Sequence, residues 1–128
     1  MGRGEEVVAA ARELVGTRFR PQGRSREEGV DCVGLVAAAL GRERVRGDYA
    51  LRGGSAAALA GELRAAGLER AAAAAAGDVL VLRAGPGQLH LGIWTGAGLI
   101  HADAGLRGVV ERPGAAPWPV IAIWREGM

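Results

Sequence analysis

Apolar positions in the first half of the chain recur at helical spacing, while those in the second half gather in short runs of strand length. Val7, Val8, Ala11, Leu14 and Val15 fall on one face of a helix over Glu5 to Val15, with Gly16 as its stop. Thr17 to Gly29 is polar and broken by Pro21, Gly23 and Gly29, which predicts a loop. A second helix is predicted from Cys32 to Leu40, capped by Asp31 and closed by Gly41. It is apolar nearly all round, so it belongs inside the protein. Arg42 to Gly54 is charged and glycine-containing, a predicted loop. Ser55 to Ala66 predicts a third helix with Ser55 as cap and Gly67 as stop; the Ala71–Ala76 run fits either a helix extension or a connector, and the Gly77-Asp78 that follows favours a connector.

From Gly77 onward the period changes. Val79–Leu82 is a short apolar strand, Arg83–Gln88 a turn, Leu89–Thr95 a strand, and Gly96–Gly98 a turn. Leu99–Ala102, Val109–Arg112 and Pro119–Trp124 are further strands. Helices first and strands second predict an α+β fold in which the helices pack on a C-terminal antiparallel sheet. The length of 128 residues fits one domain, residues 1–128.

Composition removes several function classes. All 16 basic residues are arginine, scattered among 14 acids for a formal charge of +2, with no basic run and no aromatic interleaving. Nucleic-acid binding therefore has little support. One cysteine excludes an internal disulfide, and no zinc-type spacing is present, so neither metal nor cofactor is expected. The N-terminus lacks the apolar stretch of a secretory signal, and no apolar run reaches a membrane span, so cytoplasmic synthesis is the expectation.

The chemistry-bearing residues are few: Cys32, His90 and His101. Cys32 begins a buried helix, where unpaired N–H groups and the helix dipole favour a thiolate and can hold a developing oxyanion. If Gly96-Ala97 is a two-residue hairpin loop, residue 90 faces 103 and residue 92 faces 101. His90 and His101 then share a face as diagonal neighbours, roughly 7–8 Å apart at the backbone. One imidazole can then orient the other, as in a catalytic triad. A three-residue loop would separate them. Taken singly, Cys32 also reads as a packed core residue, His90 as a strand histidine bonded to backbone, His101 as a residue without a role, and Asp31 as a simple cap.

Five segments, in order over nearly the whole chain, resemble motifs of the NlpC-type cell-wall peptidases. Gly29-Val30-Asp31-Cys32-Val33-Gly34-Leu35-Val36 resembles their nucleophile motif and Gly77-Asp78-Val79-Leu80-Val81-Leu82 their Gly-Asp strand. His90-Leu91-Gly92-Ile93-Trp94-Thr95-Gly96 resembles the His-x-Gly-Ile-aromatic motif, and Leu99-Ile100-His101-Ala102 the strand of the third catalytic residue. Gly16-Thr17-Arg18-Phe19-Arg20 resembles the upstream Gly-Thr-Pro-Tyr-Arg segment, with Phe19 where the family usually has Tyr.

The resemblance implies a papain-like α+β fold and a cysteine peptidase that cuts peptidoglycan stem peptides, typically between γ-D-glutamate and a diamino acid. It implies Cys32 as nucleophile, His90 as general base and acid, His101 as the orienting residue, and Asp31 and Phe19 in the substrate pocket. The Arg20-Pro21-Gln22-Gly23 segment and the small size look closest to compact phage and gene-transfer-particle versions. That context implies tail proteins as partners and action at the cell wall or periplasm through a particle. Two alternatives stay open: an amidase or acyltransferase of the same fold on another substrate, and a catalytically silent tail component.

Overall fold

The computed structural model describes residues 2–42 and 55–127; most of the loop expected over Arg42–Gly54 lies outside the described residues. Three helices are described: α1 (Arg3–Glu13), α2 (Cys32–Leu40) and α3 (Ala56–Ala65). The strands are β1 (Arg24–Ser25), β2 (Gly29–Val30), β3 (Leu68–Arg70), β4 (Val79–Gly85), β5 (Gln88–Trp94), β6 (Gly98–Asp103), β7 (Gly108–Pro113) and β8 (Val120–Glu126). The first two form a small hairpin. The other six form one antiparallel sheet in the order β3-β8-β4-β5-β6-β7. No described helix is long and apolar enough to cross a membrane.

The helices begin and end where local chemistry directs. Asp31 caps α2 by accepting the N–H of Gly34 at 2.9 Å, and Gly41 closes it in the left-handed region at φ 70°. Ser55 caps α3 through the N–H of Ala58 at 3.2 Å. Glu5 and Glu6 in the first turn of α1 and Arg12 in its last complement the helix dipole. Every residue of α2 except Ala38 is buried, as its all-round apolarity requires.

Alternation along the strands gives the sheet two apolar faces. Val79 and Val81 of β4 face the main core with Leu89, Leu91, Ile93, Ile100, α1 and α2. Leu80, Leu82 and Leu99 face the other way and are covered by Trp94, Ala116, Trp118 and Ile123. The segment 114–119 therefore wraps the face of the sheet away from the helices.

The sequence expectations differ from the structure at boundaries and in the smallest strands. The first helix lies two residues earlier than expected, at Arg3–Glu13, because Val15 and Gly16 belong to the turn that follows. The predicted turn over Arg83–Gln88 shrinks to Pro86-Gly87, since β4 and β5 continue pairing to Gly85–Gln88 through a register irregularity. The predicted loop Thr17–Gly29 contains β1 and opens β2, whose two-residue strands are too short for periodicity to reveal. Leu68–Arg70, unassigned by pattern, pairs with β8 as an edge strand.

Candidate active site

Cys32, His90 and His101 line one cavity of about 420 Å³, together with Phe19, Asp31 and Trp118. Cys32 is buried at the first position of α2, where helix N–H groups have no acceptor inside the helix. Helix α2 packs against both β5 and β6, which brings its N-terminus to the strands that carry the histidines.

The hairpin places the two imidazoles as the two-residue loop requires. Ile93 pairs with Ile100 and Trp94 with Leu99, and Thr95 N–H donates to the Gly98 carbonyl at 2.8 Å across Gly96-Ala97. Regular pairing of β5 with β6 ends at Ile93–Ile100, below which lie His90 and His101. Their neighbours Leu89, Leu91, Ile100 and Ala102 all point into the helix-side core. Alternation puts both histidines on the opposite face, where Nε2 of His90 meets Nδ1 of His101 at 3.1 Å.

That contact constrains where the protons sit. One ring nitrogen must donate and the other accept. If Nε2–H of His90 donates, its Nδ1 carries a lone pair and is free to act as a base. His101 then accepts at Nδ1 and bears its own hydrogen on Nε2. Burial is the main cause that pulls His90 down to about 4; the neighbouring His101 adds to this and Asp103 opposes it. His101 is lowered by burial first, with Asp103 opposing and Arg112 assisting. Both rings are therefore neutral at pH 7, the state in which His90 can accept a thiol proton.

The same shifts set a stability profile. An unfolded histidine titrates near 6.5, above both folded values, so below that pH the unfolded chain binds protons the folded chain refuses. Stability should be flat from pH 8 to about 6.5 and fall on further acidification, by up to about 1.4 kcal/mol per pH unit for His90 until about pH 4, with His101 adding to the fall in the same direction. Thermal melts at pH 8, 6.5 and 5 check this, and His90→Gln should flatten the slope. A melting temperature that is constant or rises on acidification over this window would contradict it.

Solved structures similar to this chain include the following three. NlpC1 from Trichomonas vaginalis superposes with a TM-score of 0.68 at 21% identity, covering 96% of this chain and 45% of that one. The NlpC/p60 domain of peptidoglycan hydrolase SagA gives 0.59 at 26% identity, covering 86% and 88%. The peptidoglycan hydrolase RipB from Mycobacterium tuberculosis gives 0.60 at 20% identity, covering 96% and 64%. The chain has the NlpC/p60 fold. It thus spans less than half the length of NlpC1 and most of the SagA domain. No protein-family model and no curated protein sequence matches it.

Within this NlpC/p60 fold, the remaining sequence-singled residues have distinct surroundings. Asp31 lines the cavity, yet its carboxylate is already occupied: Oδ1 accepts from Gly34 N–H and from Arg24 at 2.7 Å, and Oδ2 accepts from Gln22 N–H at 2.8 Å. It ties the segment 21–24 to the first turn of α2. Gln22 has φ 60°, a left-handed conformation that this tie helps to hold. Phe19 is half-buried against the main core and presents a ring without a hydroxyl to the cavity. Among the described residues, no group of three His, Cys, Asp or Glu side chains gathers as a metal site.

Trp118 and Asp103 line the cavity and were not singled out by the sequence pattern. Trp118 had one signal available: it stands between Pro117 and Pro119, so its backbone is restricted on both sides. Asp103 had none, since an acid two residues past a strand histidine is unremarkable.

Proposed function

We propose that this protein is a cysteine peptidase of peptidoglycan that cuts stem peptides at the amide between γ-D-glutamate and a diamino acid. The observation that carries the reading is the convergence of Cys32, His90 and His101 on one cavity, with the imidazoles joined Nε2 to Nδ1 at 3.1 Å. The fold shared with the peptidoglycan hydrolases SagA and RipB supports the substrate class.

In this mechanism Nδ1 of His90 takes the proton of Cys32, giving a thiolate–imidazolium pair. The thiolate attacks the γ-glutamyl carbonyl, and the carbonyl electrons move to oxygen. The N–H of Cys32 at the α2 N-terminus is the proposed oxyanion donor. As the tetrahedral intermediate collapses, His90 gives its proton to the leaving amine and a thioester remains. Water, deprotonated by His90, then attacks the thioester and releases the γ-glutamyl carboxylate and the thiol. His101 holds His90 through its hydrogen bond throughout. Asp31 shapes the pocket mainly by anchoring the 21–24 segment, and the Phe19 ring forms an apolar wall. The Arg20-Pro21-Gln22-Gly23 segment supports a phage-like or gene-transfer-particle setting, with delivery to the cell wall by that particle.

The test is digestion of purified peptidoglycan before and after alkylation of Cys32, with products read by mass spectrometry. Fragments ending in γ-glutamate, released only by the unalkylated protein, are expected. Failure to release peptides from walls of several cross-link types, while Cys32 still alkylates readily, would refute the wall substrate and favour another acyl substrate on the same fold.

A further inference from the structure

Trp118 closes the side of the histidine pair that faces away from the helices. Its ring lies edge-to-face against both imidazoles, 5.4 Å from each by ring centroids and inclined at 81° to His90 and 89° to His101. The two imidazoles are themselves perpendicular, 5.2 Å apart at 88°. Three mutually perpendicular rings thus pack into one corner of the cavity. The backbone at Trp118 is held by the flanking prolines and by the Pro119 carbonyl, which accepts the Arg83 N–H at 3.0 Å.

One atom in this corner stands out. Nε2 of His101 is buried, and it has no hydrogen-bond partner among the described residues, although the residue itself is 0% exposed. The two possible protonation states of that atom respond oppositely to an aromatic neighbour. An N–H directed at a ring face is attracted to it. A nitrogen lone pair directed there meets the negative face of the quadrupole and is repelled. The charged groups that act on the pair are Asp103 and Arg112, and neither bonds this nitrogen.

We propose that Trp118 is a positioning residue whose indole ring receives the Nε2–H of His101 and so selects the tautomers of both histidines. With the hydrogen on Nε2, His101 must accept at Nδ1. His90 must then donate from Nε2, which leaves its Nδ1 with a bare lone pair in the cavity that Cys32 also lines. Trp118 therefore determines, through His101, whether the base is in the state that can deprotonate the thiol. The kinetic consequence rests on the proposed peptidase chemistry, whereas the tautomer does not.

The experiment is long-range ¹H–¹⁵N correlation of the two imidazoles in the full chain at pH 7.5, for wild type, Trp118→Phe and Trp118→Leu. Wild type and Trp118→Phe, which keep a ring face, should show His101 protonated on Nε2 only and His90 on Nε2 only. Trp118→Leu keeps apolar bulk without a ring face, and its imidazoles should shift toward mixed tautomers. In wall digestion the Leu variant should lose about tenfold or more in kcat with KM little changed, while Phe stays within about threefold of wild type. Unchanged tautomers in Trp118→Leu would overturn the proposal, as would altered tautomers with unchanged kcat. A raised KM with intact kcat would make Trp118 a substrate wall instead, and would overturn it too. If even wild type digests no wall, the peptidase reading fails and the spectra alone decide the role of Trp118.

Discussion

Cys32→Ala, His90→Ala and the double variant should all fall to the same residual activity, at least about 10⁴-fold below wild type in kcat/KM. In the proposed chemistry the two side chains act as one device. Without the thiol, no proton awaits Nδ1 of His90 and no thioester forms. Without the imidazole, no base accepts the thiol proton, and the leaving amine has no acid to protonate it. Removing the second partner therefore takes away nothing that the first removal left behind. Neither change should disturb the fold: Cys32 is a small side chain at the end of α2, and Ala is a better helix former. His90 lies at the cavity, outside the two apolar clusters. The measurement is hydrolysis of a purified stem-peptide substrate by all three variants, with circular dichroism confirming native structure. Losses that multiply in the double variant would mean that the two residues act independently, and the proposed pair would be wrong.

How far the sequence revealed this site depends on how local each signal is. The α2 helix was legible to the residue because its cap, its stop and its apolar run are all contiguous: Asp31, Gly41 and the stretch between them. The His90–His101 juxtaposition followed from parity alone once the loop at Gly96-Ala97 was assigned two residues, and the observed register agrees. Two features resisted for a common reason. The docking of segment 21–24 onto α2 is made by backbone approach and by a carboxylate serving three donors, neither of which leaves a hydropathy pattern. The folding of 114–119 over the outer sheet face depends on Leu80, Leu82 and Leu99 needing a cover. A strand that buries both faces reads as a continuous apolar run, so the run Val79–Leu82 announced burial without saying what would lie on the second side.

Gly34→Ala should be among the most damaging single-methyl changes available, with a loss of about 2–4 kcal/mol and a fall of about 10 °C in melting temperature. A Cβ at position 34 would stand 2.2 Å from the carbonyl oxygen of Gly23 and 3.2 Å from Cβ of Val30. The first is a backbone atom, so no side-chain rotation can relieve the overlap. Gly23 cannot simply retreat either, since its own α-carbon side is packed on the carbonyl of Gly29. Relief must come from lifting segment 21–24 off the first turn of α2, which breaks the Asp31 bonds to Gln22 and Arg24 and opens the cavity wall made by Pro21 and Gln22. Activity should therefore fall along with stability. Gly61→Ala is the matched control: the same methyl, in the interior of α3, meets nothing within 4 Å. There the gain in helix propensity should stabilise the protein by up to about 1 kcal/mol. Denaturant melts of the two variants should thus move in opposite directions from wild type. Equal shifts, or a Gly34→Ala variant as stable and active as wild type, would mean that the 21–24 segment is not pressed onto α2.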